Sequence, residues 1–270
     1  MKHLIILQNG LNGWNRSMNS IKSHLCPLLG DNFTIVISTI NDFHRTWDGI
    51  DECGLRLAEF IKEQCADGSF NKISFIAHSM GGLMIRNCIG KLEMEGFFSK
   101  IKPIIYASIA TPHLGIHSAI SYKKFLANWL LKLTGQQLLL QDPEHLLLKM
   151  SDPATGCMMG LSRFEYRLAY GNFRGDTSVD IDTACLTTLS LTDSPFPKGE
   201  LFEITAHSVK KNKSESSIIC DNLLQLSWIR KAIDLSDYVS VHTAIANNGY
   251  TSNTRVLDDI VSYLKINPIQ

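Results

Sequence analysis

The chain has 270 residues, of which 44% are hydrophobic, 19% charged and 9% aromatic. That length and balance support a buried core without staples and exclude disordered, collagen-like and low-complexity classes. Lys plus Arg and Asp plus Glu both number 26, so the formal net charge is zero and no excess of cations is on hand for a nucleic-acid backbone.

In chain order, Leu4 to Leu7 is a short apolar run ended by the Gly-rich turn Asn9-Gly10-Leu11-Asn12-Gly13. Phe33 to Ile37 is a second such run, Lys72 to Ala77 a third and Pro103 to Ala107 a fourth. Apolar runs bounded by turns suit strands covered on both faces, as in parallel sheets. Between them lie helical stripes: Leu57, Phe60, Ile61 and Cys65, then Ile85, Cys88, Ile89 and Leu92. Leu257, Ile260, Val261 and Leu264 repeat the stripe ahead of Pro268. The alternation predicts βαβ units and a mostly parallel, doubly wound sheet with helices on both faces, formed by residues 1–270 as one domain. The polar stretch from Lys210 to Ser217, with Lys210, Lys211 and Lys213, reads as a surface loop.

Residues 118–150 stand apart. Leu126, Trp129, Leu130 and Leu133 form a helical stripe, and two Leu triplets follow at 138–140 and 146–148. This density predicts a buried helical layer. The functional alternative is a cap-like insertion, a lid over an acyl-binding cleft that touches lipid.

Seven cysteines are scattered without a C-x-x-C pair, so neither a zinc site nor a redox motif is expected, and the thiols read as small apolar residues of a reducing compartment. The apolar run after Met1-Lys2-His3 is too short for a signal-peptide core, and no run reaches the ~20 residues needed to span a bilayer. A cytoplasmic protein is expected, with peripheral attachment to a membrane left open.

The strongest chemical signal is Ala77-His78-Ser79-Met80-Gly81, at the junction of a predicted strand and a predicted helix. A G-x-S-x-G elbow has meaning in this context, because a sharp turn exposes the hydroxyl and small residues on either side let strand and helix approach. Ala77 replaces the first Gly of that pattern. Ser79 is therefore the candidate nucleophile, and it needs a base, an orienting acid and an oxyanion hole, but neither cofactor nor metal. The chain order Ser, acid, His puts the other two downstream. Among the later histidines, His113 is too early, His145 lies in the Leu-rich segment and His207 has no element to fix it. His242, shortly before the last helix, is the preferred base. For the acid, Arg167 to Asn172 reads as a strand entering a turn, and Asp176 after it is preferred over Asp180 and Asp182. The N–H groups of Met80 and Leu11 are the expected oxyanion donors.

The stretches Leu7 to Gly13, Ile73 to Arg86, Tyr106 to Gly115 with its Ala-Thr-Pro-His-Leu-Gly, Gly171 to Asp182, and His242 with its flanks together resemble the putative serine esterase family of lipase-like α/β-hydrolases, a group that includes fungal lipid-droplet phospholipases. The resemblance implies the α/β-hydrolase fold, Ser79 as nucleophile, Asp176 as acid, His242 as base, and a lipid or small acyl-ester substrate met at a membrane or lipid-droplet surface. It also marks a departure: the family usually has His-Gly-Leu after the first strand, where this chain has Asn9-Gly10-Leu11. The competing reading is a lipid-surface binding protein of the same fold with decayed catalysis.

Overall fold

The computed structural model of the protein describes residues 2–13, 15–116, 132–187, 197–205, 214–247 and 253–266. The first apolar run becomes β1 (Lys2–Gln8), buried from His3 onward. It is followed by α1 (Asn15–Leu29), β2 (Phe33–Ile37), a 3-10 helix (Phe43–Trp47) and α2 (Ile50–Gln64). Next come β3 (Phe70–His78), α3 (Gly81–Met94) and β4 (Lys102–Ile109). Three short helices, α4 (Leu133–Leu138), α5 (Leu146–Lys149) and α6 (Gly156–Ser162), precede β5 (Tyr166–Asn172). The remainder is α7 (Ile181–Ala184), β6 (Leu201–Glu203), α8 (Glu215–Leu223), β7 (Ile229–Ile233), α9 (Val241–Ala244) and α10 (Arg255–Ile266).

The strands form one seven-stranded sheet in the order β2-β1-β3-β4-β5-β7-β6. Every pairing is parallel except that of β6 with β7. On one face the stripes of α2 (Leu57, Ile61) and α3 (Ile85, Cys88, Ile89, Leu92) are wholly buried with Met158 and Leu161 of α6. On the other, Met18, Ile21 and Leu25 of α1 meet Leu257, Ile260 and Leu264 of α10. Burying each such Leu or Ile contributes about 1.5–3 kcal/mol, so the helical stripes set which face each helix covers.

β1 leads into α1 on one face, while β3, its neighbour in the sheet, leads into α3 on the other. The two loops part at the carboxyl ends of these strands, and the crevice between them is where open α/β sheets bind ligands.

The stripe at Leu126, Trp129 and Leu130 lies outside the described residues. The Leu triplets do not form an exposed apolar face. Leu138, Leu139 and Leu147 are buried in the same core as α2 and α3, and Leu140, Leu146 and Leu148 pack half-buried against it. A polar reason fixes them there. The first N–H groups of a helix lack intrahelical partners; at α2 the Gly49 N–H donates to Thr134 Oγ1 (2.9 Å) and the Ile50 N–H to Gln137 Oε1 (2.7 Å). Thus α4 caps α2, and residues 132–150 follow the buried-layer reading. Leu133, the member of that stripe among the described residues, is exposed. Among the described residues no helix is long and apolar enough to cross a membrane.

Candidate active site

The elbow is a single strained residue between β3 and α3. Ser79 has φ +56°, a left-handed conformation that costs a non-glycine residue on the order of 1–3 kcal/mol. Its N–H donates to Ile109 O at 2.8 Å, and its carbonyl accepts from Thr111 Oγ1 at 2.8 Å. The turn is thus held from β4 and from the loop after it. Crowding explains the small residues. A Cβ on Gly81 would lie 2.4 Å from Asn9 O and 2.6 Å from Gln8 O, so nothing larger fits between α3 and the end of β1. Ala77, two residues before Ser79, is buried and paired in register with Gln8 and Ser108, and its methyl group is accommodated in the core.

His242 stands in the one-turn helix α9, beyond the end of β7. Its Nε2 lies 2.9 Å from Ser79 Oγ, and its Nδ1 lies 2.9 Å from Asp176 Oδ2. Asp176 follows β5 and its side chain is only 2% exposed. Its Oδ1 accepts the N–H groups of Ser178 (2.9 Å) and Val179 (3.0 Å), while Asn172 Nδ2 reaches Oδ2 at 3.3 Å. Burial pushes this carboxyl up, but the His242 hydrogen bond and charge and the two backbone donors outweigh it, leaving it below the usual carboxylate range. An ionised carboxylate only accepts, so His242 carries its proton on Nδ1 and presents a bare Nε2 to the Ser79 hydroxyl. An imidazole so placed is able to draw a proton from a serine.

Of the other sequence candidates, His113 is fully buried with Nε2 on Ser108 Oγ (2.8 Å), its ring beside Tyr106 and Trp228. His145 is paired with Glu215 at the surface. His207 lies outside the described residues. Asp180 is the N-cap residue of α7, and Asp182 Oδ1 accepts the N–H of Thr183.

The loop carrying Leu11 passes directly over Ser79. A Cβ on Gly10 would come within 2.6 Å of Ser79 Cβ and 3.1 Å of its Oγ. Neither the Leu11 nor the Met80 N–H donates to any described protein acceptor, although the turn around them is otherwise bonded, with Gly13 N–H to Gly10 O at 3.0 Å. Ser79 also sits at the N-terminus of α3, where the helix dipole favours negative charge.

Asn9, singled out in the sequence as a departure, is buried and bonds Asp42. Three side chains in this site escaped the sequence reading: Thr111 bonds the elbow carbonyl, and His78 and Asn172 bond the backbone around His242. Thr111 lies in the Ala-Thr-Pro-His-Leu-Gly stretch, and that stretch was a usable signal. Nothing local marks the others.

A family model described as "Putative serine esterase (DUF676)" matches residues 1–188, a span that contains Ser79 and Asp176 but not His242. The chain is 29% identical over 208 residues to "Putative lipase C4A8.10" of Schizosaccharomyces pombe, covering 70% of this chain and 26% of that protein. To "Putative lipase ROG1" of Saccharomyces cerevisiae it is 28% identical over 240 residues, covering 82% of this chain and 32% of the relative. It therefore spans about a quarter to a third of the length of these curated relatives. In fold it is similar to the lin2722 gene product of Listeria innocua, at TM-score 0.56 and 10% identity over 100% of this chain and 96% of the other. It is also similar to a lipase-esterase related protein from Clostridium acetobutylicum, at TM-score 0.50 and 10% identity over 98% and 93%. The chain thus has the α/β-hydrolase fold and belongs to the family described as putative serine esterase (DUF676).

Proposed function

We propose that the protein is a serine carboxylic-ester hydrolase of the lipase type, working through an acyl-enzyme on Ser79. The observation that carries this reading is the unbroken hydrogen-bonded series from Ser79 Oγ to His242 Nε2 and from His242 Nδ1 to Asp176 Oδ2, each link 2.9 Å, at the carboxyl ends of β3, β7 and β5. His242 takes the Ser79 proton as Oγ attacks the ester carbonyl. Asp176 keeps the imidazole in the Nδ1–H tautomer and stabilises the imidazolium that forms. The free N–H groups of Met80 and Leu11, with the α3 dipole behind them, receive the oxyanion. His242 then returns the proton to the departing alcohol, and water repeats the sequence on the acyl-enzyme.

The substrate class is a lipid or small acyl ester. The names of the yeast relatives, putative lipases, support it. So do two exposed apolar side chains: Val239, on the loop three residues before His242, and Leu133, the first residue of α4, beside Gly49. The test is a turnover series on p-nitrophenyl esters of rising chain length and on phospholipid vesicles. Hydrolysis that rises with acyl length is the expected result. Vesicle binding without turnover on any ester would favour instead a lipid-surface protein with decayed catalysis.

A further inference from the structure

His242 sits on a loop that fastens poorly to itself. α9 is a single turn, and most of the bonds around it are local: Ser236 N–H to Asp234 Oδ1, Tyr238 N–H to Leu235 O, and Thr243 Oγ1 to Ser240 O and Oγ. The Ala246 N–H, which would continue the helix onto His242 O, bonds Thr243 O instead. Among the described residues no backbone N–H donates to the His242 carbonyl. Local bonds of this kind shape the loop, and the buried Val241, Ala244, Ile245 and Ala246 seat it on the core, but apolar packing is non-directional, and the imidazole moves with its backbone.

Two side chains from strand ends add directional bonds to that packing. Asn172, the last residue of β5, donates Nδ2 to Val241 O at 3.0 Å. Its other Nδ2 contact is Asp176 Oδ2; because both partners are acceptors, the orientation of the amide is fixed. His78, the last residue of β3, donates Nε2–H to the His242 carbonyl at 2.8 Å. Its ring lies 4.8 Å from the His242 ring, tilted by 42°. Two consecutive carbonyls of the base loop are thus gripped from β5 and from β3. His78 also directly precedes Ser79, so one peptide unit ties the hydroxyl and the backbone of its base together.

We propose that His78 is a positioning residue: by donating Nε2–H to the His242 carbonyl it sets the imidazole against Ser79 Oγ. The proposal rests on Ser79 and His242 acting as described above. His78 suits the task because it is 8% exposed and its pKa is lowered to about 3, first by burial and then by the charge of His242. It therefore stays neutral while His242 cycles through the imidazolium, and adds no repulsion to it. A misplacement of about 1 Å at a reacting group costs roughly a hundredfold in rate. Loss of this donor is expected to fall on kcat, because it displaces the base whose backbone His78 holds.

The test compares His78→Gln, His78→Met and His78→Asn on a short soluble ester, with melting curves taken alongside. Gln keeps a donor at the reach of Nε2, Met has the same length without one, and Asn has a donor that falls one methylene short. His78→Gln is expected to keep kcat within about threefold, while His78→Met and His78→Asn lose roughly tenfold to a hundredfold in kcat with KM unchanged. Measurement below the lowest melting temperature removes differences in folding. Equal kcat for the Gln and Met variants, or wild-type kcat in His78→Asn, overturns the proposal. A wild-type protein with no turnover and no label on Ser79 would instead remove the reading beneath it.

Discussion

Asn9 Nδ2 donates to Asp42 Oδ1 at 2.9 Å, and Asn9 Oδ1 in turn accepts from Gln8 Nε2 at 2.9 Å. This pair ties the loop after β1 to the loop after β2. The same region is tied three times more, by the Asn12 N–H on Thr46 Oγ1, by Trp47 Nε1 on Asn12 Oδ1 and by the Phe43 N–H on Gly13 O. The Leu11 N–H rides on this framework. At the position where the sequence departs from His-Gly-Leu, this chain holds the loop with an amide and a carboxylate. Asn9→Ala and Asp42→Ala should each lower kcat by roughly tenfold, less than the 10²–10³ typical for deleting an oxyanion donor itself, with KM little changed. Because the two act through one bond, the double variant should be no worse than either single one. Additive losses in that cycle would show the bond does not set the loop.

Gly10 has no room for a side chain. A methyl group there would sit 2.6 Å from Ser79 Cβ, so Gly10→Ala must push the loop off the elbow. Turnover of a short ester should fall by about tenfold or more, and stability by about 1–3 kcal/mol, because overpacking displaces a buried loop that the Asn9–Asp42 bond holds. Full activity in Gly10→Ala would mean that the loop has no part in the reaction.

Asp176→Asn should cut kcat by roughly 10³–10⁴-fold, since an amide facing His242 favours the tautomer with its proton on Nε2. Asp180→Asn and Asp182→Asn should stay within about threefold, because neither carboxylate touches His242 and loss at a helix N-terminus is a stability effect. Steady-state kinetics on the three proteins decides it, and an equal loss at Asp182 would move the acid there.

Stability should fall on mild acidification. His3 is buried on β1 against Ser74 Oγ (2.8 Å) and Phe33, and burial, helped by the charge of Lys72, lowers its pKa from 6.5 to about 4. Above pH 6.5 both folded and unfolded states hold it neutral. Below that the unfolded state binds a proton the folded state refuses, so stability drops between pH 6.5 and about 4, by on the order of 3 kcal/mol from this group. Urea unfolding across that window should show a shallower pH slope in His3→Gln than in the wild type. An identical slope would contradict the assignment.

The parts legible in sequence were those with a local signature. β1, β2, β3 and β4 announced themselves as apolar runs, and α2, α3 and α10 as stripes, because burial on a regular element leaves a period. Ser79 was legible because a strained turn needs small neighbours. His242 and Asp176 were read from chain order and context, and the structure brings both into hydrogen bonding with the elbow series. The Leu triplets read as a buried layer, with a lid as the alternative, and the structure buries them; the bonds from Thr134 and Gln137 to the start of α2 have no sequence period, so what draws the segment into the core was not legible. The same holds for His78, Asn172 and the Asn9–Asp42 pair. Their partners are backbone carbonyls or side chains 33 to 164 residues away, a relation that only the folded sheet creates.

The most direct measurement is the site of covalent capture by a fluorophosphonate, read by intact mass and peptide mapping. One adduct is expected, on the peptide bearing Ser79, and Ser79→Ala should neither label nor hydrolyse ester while melting at the wild-type temperature; the loss in rate should be several orders of magnitude. An adduct on any other residue, or turnover that survives in folded Ser79→Ala, would contradict the account.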